Sequence, residues 1–169
     1  MLDYAHRPNT QSADGDRAPA AARGTGATTV AQPIFRSVAD RQFACLQTAF
    51  ARHGGMATGE DITVRLRRRS DQPISVLARW IVSRSIVNVT RASETLIPVF
   101  QFDLPTMTVL PGVSKVVLEL CSVFDDWELA LWFAEPNLWL QDASPVDVLS
   151  ENPEAVFQAA RADRFVARG

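Results

Sequence analysis

The chain has 169 residues, enough for one ordinary domain or two small ones, because a single core takes roughly 100–200 residues. Apolar types make up 47% and charged types 21% of it, against averages of about 45–50% and about 25%, which excludes collagen-like, disulfide-dense and wholly disordered classes. The net charge of −2 is unevenly spread: six Arg face four Asp over residues 1–55, seven Arg face five acids over 56–103, and one Lys with three Arg faces ten acids over 104–169.

A mildly basic first part and an acidic last third point to two surfaces with different partners. Neither part is as basic as a dedicated nucleic-acid binder. The start, Met1 to Pro8, has no basic n-region followed by an apolar h-region, so no secretory signal is read there. Apolar runs such as Leu129–Ala134 are far shorter than the ~18 residues of a membrane span, and no membrane association is expected. Cys45 and Cys121 lack CxxC or Cys/His ligand spacing, which predicts buried or idle thiols and a reducing, cytoplasmic setting.

Residues 1–32 are rich in Ala, Gly, Thr, Asp, Arg and Pro without apolar periodicity, and are predicted to be a disordered arm. Its Gly24-Thr25-Gly26 is only a fragment of a phosphate-loop pattern. From Ile34 a stripe of Phe35, Val38, Phe43, Leu46 and Phe50 predicts a helix over about 35–52, stopped by Gly54-Gly55. Thr58 and Asp61 have capping-box spacing and open a second helix that ends in Arg67-Arg68-Arg69. Those arginines have two readings, complementing the helix dipole or binding phosphate.

Pro73 starts a third helix, Ile74–Arg84, with Ile74, Leu77, Ala78 and Ile81 on one face and Ser75, Arg79 and Ser83 on another. Two β-rich runs, Ile86–Val89 and Thr95–Phe102, predict a hairpin with a five-residue loop carrying Arg91 at its tip. Three helices and a hairpin follow the order of a winged helix-turn-helix over residues 33–103. A helical region with a small ribbon of its own fits the same order. If DNA is bound, Ser75, Arg79, Ser83 and Arg84 are the candidates for bases, with Arg67, Arg68, Arg69 and Arg91 on phosphates.

Residues 104–169 predict a compact helical bundle. Gly112 begins a helix with Val113, Val116, Val117 and Leu120 inward; Asp125 and Glu128 box the next; Ser144-Pro145-Val146-Asp147 and Asn152-Pro153-Glu154 signal two more. The last runs through Val156, Phe157, Ala160 and Phe165. The fold class is therefore mainly α: helix-turn-helix-like helices with a small β-hairpin, followed by a C-terminal bundle. His6 and His53 have no context for a nucleophile triad, and HxxxH, CxxC and DxDxDG patterns are absent. The expectation is a protein without enzymatic activity, metal or cofactor, with His53 at a helix end. Trp127, Trp132 and Trp139 read as core, with one or two of them available as interface anchors.

The segment Leu131-Trp132-Phe133-Ala134-Glu135-Pro136-Asn137, then Leu140, Ser144-Pro145-Val146-Asp147-Val148-Leu149, Asn152-Pro153-Glu154-Ala155-Val156 and Ala159-Ala160, resembles the toxin-binding domain of Xre/MbcA/ParS-type antitoxins. Pro98-Val99-Phe100-Gln101-Phe102-Asp103 resembles the "P-x-FQFD" strand that precedes that domain in many relatives. The likeness covers about residues 95–169. It implies a C-terminal domain over 104–169 that binds a cognate toxin, often a RES-type enzyme consuming NAD, and an N-terminal region that represses its own operon by binding operator DNA. Carried onto this chain, it implies toxin contacts at Pro136, Asn137, Ser144, Pro145 and Asp147 and at the terminal Arg161, Arg164, Arg168 and Gly169. The family usually has glycine after the Pro-Asn helix end, where this chain has Gln141-Asp142-Ala143. A DNA-binding regulator whose bundle serves homo-oligomerisation is the alternative.

Overall fold

Ser37 is extended, and its hydroxyl accepts from the Asp40 amide, so the first helix, α1 (Val38–Ala51), starts at a capped end. The structure, a computed structural model, describes residues 37–169; the arm expected at 1–32 lies outside the described residues. A short strand, β1 (Met56–Thr58), leads into α2 (Gly59–Leu66), whose predicted capping box between Thr58 and Asp61 forms in both directions. Next come α3 (Pro73–Val82), β2 (Val89–Arg91) and β3 (Glu94–Pro98). The three strands make an antiparallel sheet in the order β1-β3-β2.

The hairpin differs from expectation. Its loop is two residues long, Ala92-Ser93, both with positive φ (48° and 70°), so the strands run on through Thr90-Arg91 and Glu94-Thr95. Two successive left-handed residues give the turn whose twist matches the strands, without the Asn-Gly that would announce it in sequence. Beyond β3 a 3-10 turn, Val99–Gln101, precedes a two-residue ribbon, β4 (Phe102–Asp103) with β5 (Thr108–Val109). The strand expected to run to Phe102 breaks because Gln101 turns inward. Fully buried, its side chain accepts from the Val87 amide (2.7 Å) and donates to the carbonyls of Val87 and Pro98 (2.8 Å each), replacing the missing strand partner.

The remaining elements are helical, as expected: α4 (Pro111–Leu120), α5 (Asp126–Ala134) with its Asp125–Glu128 box, the short α6 (Pro145–Val148) and α7 (Pro153–Arg168), capped by Asn152. Val113, Val116, Val117 and Leu120 are fully buried, as their spacing predicts. The described residues, 37–169, belong to one compact unit, and the expected boundary at 103/104 falls inside it. Leu46 and Phe50 of α1 and Val87 and Val89 beside β3 pack into the same core as α4, α5 and α7. A second, smaller core of Ala57, Ile62, Leu66, Leu77, Ile97 and Phe102 joins α2 and α3 to the sheet. Helix α1 therefore serves the bundle, because Leu46 and Phe50 find more apolar surface there than the short α2–α3 pair offers. Among the described residues no helix is long and apolar enough to cross a membrane.

Candidate functional site

The segment after α5 is built around one asparagine. Pro136 cannot continue a helix and holds Glu135 extended. Asn137 then caps a 3-10 turn, Leu138–Leu140, by accepting from the Trp139 amide (2.9 Å), while its backbone bonds Leu140, Asp142 and Ala143. Its side-chain amide donates to Asp163 of α7 at 2.7 Å. The same carboxylate accepts from the indole N–H of Trp132 (2.8 Å) and of Trp139 (2.9 Å). Three donors from two elements thus converge on Asp163, fastening the turn to α7 through charge-assisted bonds. As a result Leu138 and Trp139 project outward, 86% and 60% exposed; in the last turns of α7, Phe165 and Val166 are 80% and 68% exposed.

The resemblance-derived toxin contacts divide in two. Asn137, Ser144 and Pro145 are buried, so they shape the turn and offer little surface; burial follows from their roles as cap, cap and first helical residue. Pro136, Asp147, Arg161, Arg168 and Gly169 are exposed. Arg164 pairs with Glu119 at 3.0 Å, and Arg168 donates to Ser122, so both fold back on α4. Phe165, expected with the inward stripe, points away from Val156 and Ala160. Asp163, Leu138, Phe165 and Val166 did not stand out in the sequence; apolar side chains off the buried face of the last helix were the available signal.

His53 does more than end a helix. Its Nε2 meets Asp147 Oδ1 at 2.8 Å, and Ser144 Oγ donates to Asp147 Oδ2 at 2.6 Å. Those bonds, that from Ser144 foremost, hold the Asp147 carboxyl below its ordinary range. The carboxylate stands between serine and imidazole, whereas a nucleophile requires the imidazole to touch the hydroxyl. Among the described residues no three His, Cys, Asp or Glu side chains converge as metal ligands would. Cys45 and Cys121 are free and partly buried, and burial pushes the Cys45 thiol up.

Of the proposed nucleic-acid contacts, Ser75, Arg79, Arg67, Arg68 and Arg69 are exposed along α3 and the turn after α2. Ser83 turns its hydroxyl onto the Arg79 carbonyl. Arg84 is a correction: it bonds Asp126 (2.9 Å) and the carbonyls of Cys121 and Phe124, tying the end of α3 to the α4–α5 corner. Arg91 is another. It sits in β2 instead of a loop tip, pairs with Asp40 at 2.7 Å and lies 4.1 Å from the Phe43 ring centroid, so α1 engages it.

No protein-family model, no curated protein and no solved structure matches this chain.

Proposed function

We propose that the chain is an antitoxin-like binding protein, without catalytic activity of its own, whose C-terminal helical half docks on a cognate toxin, a RES-type enzyme that consumes NAD. One observation carries the reading. The Asp163 node holds the turn rigid while leaving Leu138 and Trp139 in solvent. Large apolar side chains preorganised at the surface are the usual anchors of a protein interface, and tryptophan leads among them. The central place of Asp147 between Ser144 and His53 supports binding over hydrolysis.

The test is coexpression with a RES-type protein encoded next to this chain, with cellular NAD as the readout. The wild-type chain preserves NAD and copurifies with the enzyme. Leu138→Glu, which leaves the Asp163 bonds in place, keeps the melting temperature and loses both effects. Equal protection by that variant, or no protection by the wild type, would refute the reading.

A second reading, that the chain represses transcription by binding operator DNA, is supported by a different observation. The order α1-β1-α2-α3-β2-β3 with strands arranged β1-β3-β2 is compatible with a winged helix, and Ser75 and Arg79 are exposed on α3. Binding to the DNA upstream of its own gene, steeply weakened by salt, is the expected result.

A further inference from the structure

Arginine accounts for four of the five residues from 65 to 69, yet the helix sorts them. Arg65, Arg68 and Arg69 stand at i, i+3 and i+4 and share a face; Arg67 is directed to the other side, toward α3. The chain keeps its helical course here, for the amides of Arg68 and Arg69 bond the carbonyls of Arg65 and Leu66. The three side chains line one hollow of about 380 Å³, whose other wall is Val64, Leu104, Pro105 and Met107. Arg69 donates to the Pro105 carbonyl and so fixes the two walls to each other.

Among the described residues these cations make no ion pair. The ion pairs among the described residues join His53 to Asp147, Arg84 to Asp126, Arg91 to Asp40 and Arg164 to Glu119, and no carboxylate lies within 4.0 Å of Arg65, Arg68 or Arg69. Of the nearby acids, Asp61 feels the charge of Arg65 from a distance but spends its hydrogen bonds on the capping box with Thr58, and Asp103 accepts from Thr106. One arginine in the last turn would complement the helix dipole. Two more on the same face repel it, each by about 0.2–0.5 kcal/mol, unless an anion lies among them. Planar guanidinium forks suit the oxygens of a phosphate, and the exposed Leu104 offers apolar contact to a sugar beside it.

We propose that Arg65, Arg68 and Arg69 form a seat for a phosphate group, filled by the backbone of a DNA duplex. This rests on the second reading above and gives the helix before α3 the task of fixing the register of α3 on the duplex. The bases are left to Ser75 and Arg79.

The full chain is titrated with a labelled duplex of its own upstream sequence at several salt concentrations, and separately with inorganic phosphate against chloride at equal ionic strength. Arg65→Gln and Arg68→Gln should each weaken duplex binding about tenfold and lower the salt slope by about one. Arg41→Gln, exposed on α1, serves as the control for net charge and should change little. Melting curves establish that each variant is folded. Duplex binding indifferent to both substitutions overturns the seat and leaves the DNA reading standing. Phosphate binding that both substitutions abolish, without duplex binding, keeps the seat for a small phosphorylated ligand and ends the DNA reading. Response to neither probe removes both.

Discussion

His53 and Asp147, 94 positions apart, meet at 2.8 Å and join the end of α1 to the start of α6. The Asp147 carboxyl is held below its usual 3.8, so the unfolded chain takes up the proton more readily than the folded one. Its contribution to stability is therefore complete above about pH 4 and is lost as pH falls through the lower folded value. Asp147→Asn should lower the melting temperature at pH 7 and flatten its fall between pH 5 and pH 3. An unchanged acid slope would mean that the carboxylate does not govern this junction.

Asp163 offers a sharper contrast between stability and binding. Asp163→Ala leaves the N–H groups of Trp132, Asn137 and Trp139 without their acceptor. Unfolding in urea should show a loss of about 2 kcal/mol, reduced from the full cost because water can reach Trp139. Tryptophan emission should shift to the red as the turn loosens. Were the midpoint to stay where it is, the carboxylate would not be what holds the turn.

Gln101 is a fully buried polar side chain whose three bonds all go to backbone. Gln101→Leu removes the side-chain amide and strands the Val87 amide and the carbonyls of Val87 and Pro98. A loss of about 3 kcal/mol is expected, with hydrogen exchange at Val87 accelerated. Gln101→Glu should not rescue it, since a carboxylate cannot donate to two carbonyls.

Gln141 and Asp142 carry φ of 58° and 62°, in the left-handed region where a side chain costs about 1 kcal/mol. Both are exposed, so Gln141→Gly should raise stability by several tenths of a kcal/mol to about 1 kcal/mol, read as a higher urea midpoint with the same slope. The chain holds this geometry without glycine because the Asn137 carbonyl accepts from both the Leu140 and Asp142 amides.

The helices are legible in the order of residues alone. Thr58–Asp61, Asp125–Glu128 and Asn152–Ala155 close within three residues of one another, and the apolar spacing of Val113, Val116, Val117 and Leu120 names its own buried face. These are local bonds and periodicities, legible wherever the chain is read. Strand β1 was not legible, because three residues carry no pattern until β3 lies beside them. Packing across the fold, in contrast, sets which arginines form ion pairs. Arg84 and Arg91 look no different in sequence from Arg65 and Arg68, but Asp126 and Asp40, 42 and 51 positions away, engage the first two. It also placed Asp163 under two tryptophans and an asparagine from another element. A side chain's partner across the fold depends on how the helices pack, and that depends on all the core contacts at once rather than on the residues nearby.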